Sequence, residues 1–143
     1  MKKFKYIEWL NAEEMHDDST IWFSELKFIR DEQFFLNNLV LSFTLQLMDS
    51  KIYEDSKAVI ARLQQAEKDI TPLFKKVQAH ENQLEIVVDD VDQLKMEKAY
   101  LETHEELKID MNDYTQKYRE IKEQLFKLLT VIMKKDKQKR LLN

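Results

Sequence analysis

The chain has no glycine, no cysteine and only one proline, Pro72. Without glycine there are no phosphate-cradling loops, no glycine-dependent tight turns or β-bulges, and none of the usual glycine helix caps. Helices need none of these, so the composition points to an all-α protein. The lack of cysteine removes any disulfide framework, thiol nucleophile or cysteine-ligated zinc or iron–sulfur cluster, and places the expected setting in a reducing cytoplasm. Long apolar runs are missing too. The best stretch, 39–47, is broken by Ser42, Thr44 and Gln46 and falls well short of a membrane span. After Met1, Lys2 and Lys3 come Tyr6, Glu8, Trp9 and Asn11, where a secretory signal would need an unbroken apolar segment, so no export signal and no membrane partner are expected. The formal net charge of −4 argues against general nucleic-acid binding, and neither a groove-reading motif nor an aromatic RNA-binding pattern is found.

What the sequence does contain is helical periodicity. Trp22, Leu26, Ile29, Leu36, Val40, Phe43 and Leu47 recur at steps of four and three, with Gln33 as the one polar interruption. Phe28, Phe35 and Leu39, with Phe23 and Phe34 nearby, widen that stripe beyond the seam of a two-stranded coiled coil, so this helix is expected to need at least two partners. A second seam runs through Ile52, Ser56, Val59, Leu63, Ala66, Ile70, Leu73, Val77, His80, Leu84 and Val87. Pro72 lies inside it without changing the register, which favours one helix kinked there over a helix split into two. A third seam reads Met96, Tyr100, Leu107, Met111, Tyr114, Tyr118, Ile121, Leu125, Leu128 and Ile132.

These seams predict a single domain over residues 1–143, with a leader at 1–18 and helices at 19–48, 51–88 and 93–138. At this length about two-thirds of the unfolded surface can be buried, enough for a core. The expected architecture is an elongated antiparallel bundle of three long helices. A helix of about forty residues would run roughly 60 Å at 1.5 Å per residue. Asp17, Asp18 and Ser19 offer caps for the first helix, and Asn11 with Glu14 has capping-box spacing for a short helical turn in the leader. A reversal near Asp92 sets Val77 opposite Leu107, His80 opposite His104 and Val59 opposite Leu125. Residues 4–10 are then expected to fold over the tip of that hairpin, which otherwise leaves large apolar side chains in water.

The same arithmetic brings His16, His80 and His104 to one level, with Asp17, Asp18, Glu81 and Glu105 close in sequence. Three imidazoles and a carboxylate could hold a divalent metal such as zinc with an open position, the arrangement of a hydrolytic or redox site. The plainer reading makes His80 and His104 hydrogen-bonded seam residues and needs no cofactor. A dinuclear carboxylate centre would require two Glu-x-x-His pairs on helices, and only Glu13 and His16 have that spacing. Glu25 and Glu32 are expected to pair with Lys68, Lys75 or Lys76. The three tyrosines of the last seam read as core with hydroxyls at its edge. Asp89, Asp90 and Asp92 read as a helix cap, since a calcium loop would need its glycine. The run Lys134, Lys135, Lys137, Lys139 and Arg140 suits a helix C-terminus, or could meet phosphate or an acidic partner. The expected function is non-catalytic: a protein–protein interaction or scaffold module, with self-association as a homodimer. The alternative is a metal-binding bundle, with or without enzymatic activity, built on His16, His80 and His104. No small-molecule ligand can be named from these residues.

Overall fold

The computed structural model describes residues 10–49, 51–88 and 93–142. They form four helices and, among the described residues, no strand: α1 (Ala12–Ser42), α2 (Thr44–Leu47), α3 (Tyr53–Val88) and α4 (Gln93–Leu142). The chain is all-α, and beside its three long helices stands a fourth of one turn.

α1 begins seven residues earlier than the sequence pattern suggested, and its start has a local cause. Asn11 Oδ1 accepts the Glu14 N–H at 2.8 Å, while Glu14 Oε1 accepts the Asn11 N–H at 3.3 Å. This reciprocal pair is a capping box. It opens the long helix itself and not a separate turn in a leader. The Ala12 N–H, free at the helix start, is taken by Glu97 Oε2 from α4. Asp17, Asp18 and Ser19 are thus interior residues of α1. The Ser19 hydroxyl, expected as a cap, donates instead to the Met15 carbonyl four residues back.

The same back-bonding ends α1 early. Ser42 Oγ donates to Asn38 O, and Thr44 Oγ1 donates to Val40 O and Leu41 O. Hydroxyls that compete for helix carbonyls bend helices. Phe43 is a turn residue between α1 and α2, and its N–H is shared between Leu39 O and Val40 O. The helix expected over 19–48 is therefore two helices. After it, Asp49 Oδ1 accepts the Lys51 N–H at 3.0 Å, the side-chain turn that directs the chain into α3. α3 runs continuously through Pro72, as its unbroken seam implied.

The chain divides into two compact units, residues 1–29 with 70–114 and residues 30–69 with 115–143. In the first, Met15, Leu26, Val77 and Leu84 are fully enclosed, joined by Ile70, Leu107 and Met111, and the Phe23 and Phe74 rings meet edge to face at 4.8 Å. In the second, Leu36, Leu47, Leu63, Leu125 and Leu129 are enclosed with Val59 and Ile121. Each such side chain contributes roughly 1.5–3 kcal/mol when fully buried. The whole α3 seam from Ser56 to Val87 is buried as read from sequence. On α4 the buried residue after Leu125 is Leu129, with Leu128 half-buried. A straight helix drifts from a strict 3.5-residue repeat, and a second step of four absorbs the drift.

The wide stripe on α1 behaves differently from its seam. Phe28, Phe34 and Phe35 are 65%, 73% and 59% exposed. Among the described residues these three remain exposed, while Phe23 and Leu39 of the same wide stripe are half-buried. The fold-over expected of residues 4–10 lies outside the described residues, apart from Leu10, which is half-buried. The cap expected at Asp89, Asp90 and Asp92 lies outside them too.

Candidate functional site

The sharpest polar feature lies in the first unit, at buried positions of the α3 and α4 seams. His80 on α3 and His104 on α4 meet at 2.9 Å through His80 Nε2 and His104 Nδ1. The antiparallel register placed these two opposite each other, and the hydrogen bond realises that pairing. His104 Nε2 lies 3.0 Å from Asp18 Oδ2 on α1. Both imidazoles are enclosed, at 2% and 0% exposure, whereas the Asp18 side chain is 43% exposed. Trp22, one turn beyond Asp18, stacks on His104 with ring centroids 4.6 Å apart, and Tyr100 meets His80 edge-on at 6.3 Å.

The hydrogen-bond logic assigns the protons. A carboxylate only accepts, so His104 Nε2 carries hydrogen and donates to Asp18; His104 Nδ1 is then a lone pair that accepts from His80 Nε2–H. His80 Nδ1 is left as a buried lone pair with no hydrogen-bond partner among the described residues. Burial, and then the neighbouring His104, push the His80 pKa down to about 4. Burial also lowers His104, opposed by the hydrogen bond and charge of Asp18 and the charge of Glu105. Both shifts favour the neutral ring at pH 7.

This line of two imidazoles and a carboxylate resembles a proton relay on paper, but its terminal nitrogen is enclosed and weakly basic. A general base must reach its proton and have a pKa near the working pH. His80 Nδ1 is enclosed, and the pKa of its ring is pushed down to about 4.

The structure joins two of the three proposed metal ligands, His80 and His104. His16 is half-buried on α1, where its carbonyl accepts the Thr20 hydroxyl, and the third group attached to the pair is Asp18. Among the described residues no cluster of three or more His, Asp or Glu side chains is arranged to hold a metal. Glu13 and His16 do lie on a helix, one turn apart, where the sequence reading had put them in an irregular leader.

Three contacts went unread in the sequence. Glu97, only 4% exposed, binds the start of α1. Its signal was present, since it stands seven residues before His104, on the seam itself. The Trp22 to His104 stack had no sequence signal beyond both residues being seam members. Glu32, in the second unit, pairs with Lys122 of α4 at 2.9 Å and accepts the Tyr118 hydroxyl at 2.7 Å, in place of the expected α3 lysines. Burial raises the Glu32 pKa, but the hydrogen bonds from Lys122 and Tyr118 and the Lys122 charge outweigh it and leave it below the usual range. Tyr118 thus has a buried ring and a hydroxyl at the edge.

No family model, no curated protein and no solved structure matches the chain.

Proposed function

We propose that the protein is a non-catalytic helical bundle of the cytoplasm that acts as a protein–protein interaction or scaffold module. The bundle reading is supported within each unit by side-chain links between helices. Ala12 to Glu97 and Asp18 to His104 are 85 and 86 residues apart in the first, and Glu32 to Tyr118 is 86 apart in the second, as parallel α1 and α4 require. Antiparallel α3 is supported by Thr20 with Glu81 in the first unit and Asn37 with Glu67 in the second.

The observation that carries the functional reading is the solvent exposure of Phe34 and Phe35. Both are large aromatic side chains on a well-formed helix whose opposite face is already buried, and Leu41 beyond them is 71% exposed. Aromatic residues held in water on a rigid element are the usual anchors of protein interfaces. The buried imidazoles support the non-catalytic part, since three of their four nitrogens are used in hydrogen bonds that hold helices together.

A photo-crosslinking amino acid placed at Phe34 tests this reading. The expected result is a discrete covalent adduct with a polypeptide, absent when the same group replaces exposed Gln64. No discrete adduct at position 34 would contradict it.

A further inference from the structure

We propose that the outer face of α1 in the first unit docks, head to tail, on the basic end of the second unit in another copy of this chain. This rests on the interaction-module reading and names one surface pair and one partner.

The two surfaces carry opposite charge, and each exposes apolar side chains. On the first unit, Ile21 and Phe28 are seven residues apart on α1 and 56% and 65% exposed. Exposed Glu25 stands between them, and exposed Glu13 and Asp17 continue the same stripe two turns and one turn ahead of Ile21. Two apolar anchors with carboxylates along the same stripe form an acidic amphipathic ridge, the kind of helix that lies in an apolar groove. On the second unit, a cleft of about 240 Å³ is lined by Leu45, Ile52 and Ile132 and edged by Lys135 and Lys139.

Asp49 and Asp136, which also line the cleft, balance those two lysines. The surplus positive charge comes from Lys51, Lys134, Lys137 and Arg140, all exposed. Asp49 itself is committed locally: the Lys51 N–H, then the charges of Lys135, Lys51 and Lys139, hold its carboxyl below the ordinary range. Leu45 of the lining is 87% exposed, and Met48, next to Asp49 in the chain, is 54% exposed.

The acidic ridge and the basic end around the cleft are different patches of the same chain, so the contact is heterologous. It extends beyond two copies unless the rotation between them closes a ring. Charge complementarity of this kind sets orientation and is weakened by salt.

Sedimentation velocity of the full chain over a range of concentrations provides the test. Wild type is expected to gain mass with concentration at low salt and to lose that gain at high salt. Variant one carries Lys134→Glu, Lys137→Glu and Arg140→Glu; variant two carries Glu13→Lys and Asp17→Lys. These side chains are exposed and take no part in the Asn11–Glu14 hydrogen bonds, and a circular dichroism spectrum that remains helical confirms folding. Each variant alone is expected to associate at least about tenfold more weakly. Mixing the two is expected to restore association, because each retains the patch the other lacks. Should a variant fail to fold, Ile21→Ser and Leu45→Ser give the same comparison without charge reversal.

A wild type that stays monomeric at every concentration overturns the docking, yet leaves the interaction-module reading to the crosslink at Phe34. Association indifferent to both variants, or not restored on mixing, also overturns it. So does salt-sensitive binding of the basic end to phosphatidylserine vesicles without self-association, which would assign that end to a lipid surface.

Discussion

The two units are built from the same three long helices but keep different things inside. The first encloses His80, His104, Glu97 and Ser19 among its apolar side chains; the second encloses Gln33 and Ser56, with its ion pair, Glu32 to Lys122, at a partly exposed edge. In the first core His80, His104 and Glu97 are held by specific partners on other helices, while Ser19 bonds within α1. A buried hydrogen bond to a neutral ring contributes only about 1 kcal/mol, but stranding one partner costs more, so such contacts fix register more than they add stability. The second unit depends on leucines, and on its outside carries Phe34, Phe35, Leu41 and Leu45. One unit therefore has a titratable interior, and the other a mainly aliphatic interior with several large apolar side chains exposed outside it.

The largest effect expected is in the aliphatic core. Leu63→Ala or Leu125→Ala should destabilise the protein by about 2–5 kcal/mol, read from the urea midpoint, and by the same amount at pH 7.5 and pH 5. A pH-dependent loss would break the contrast between the units.

The first unit is expected to supply the pH dependence. Unfolded imidazoles bind protons near pH 6.5, whereas the folded state holds His80 off until about 4 and also lowers His104. The unfolded state thus binds more protons through that window. The histidine contribution is full above about pH 6.5, falls as pH drops toward 4, and levels off below. The slope is about 1.4 kcal/mol per pH unit for each excess proton. Thermal melts should show it in wild type, and a His80→Leu, His104→Leu variant should flatten it. In a Trp9→Phe background, Trp22 fluorescence should follow the His104 ring stacked on it.

Much of this contrast was legible in the sequence. Steps of three and four along α3 marked its buried face from Ser56 to Val87, and antiparallel counting paired His80 with His104 before any contact was known. What escaped were features decided by competition between neighbours. Asp17, Asp18 and Ser19 look like a cap, but Asn11 and Glu14 satisfy the helix start first, freeing Asp18 for His104. Ser42 and Thr44 are ordinary polar positions in a periodic pattern, and only their bonds back to carbonyls break α1 at Phe43. The lysine chosen by Glu32 depends on which helix stands beside it, and periodicity alone does not order neighbours around a helix. The exposure of Phe28, Phe34 and Phe35 was hidden because hydrophobicity marks what benefits from burial, not what finds it.

Smaller effects sharpen the same comparison. Asn11→Ala should cost about 1 kcal/mol by removing half of the capping box, with increased hydrogen exchange confined to the first turn of α1. Glu32→Gln should cost under about 1 kcal/mol, since the Lys122 pair is partly exposed, and the difference should shrink in high salt. A larger loss would mean that the second unit, too, depends on an ionic contact.

Among the described residues His80, His104 and Glu97 use side-chain polar atoms to join helices. Nitrogen-15 spectra of the imidazole rings at pH 7, before and after one equivalent of zinc, test that role most directly. The account predicts that His80 and His104 are both neutral, each protonated at Nε2, with spectra unchanged by the metal. A ring nitrogen shifted by zinc, or a ring charged at that pH, would contradict it and reopen the pair as a site for chemistry.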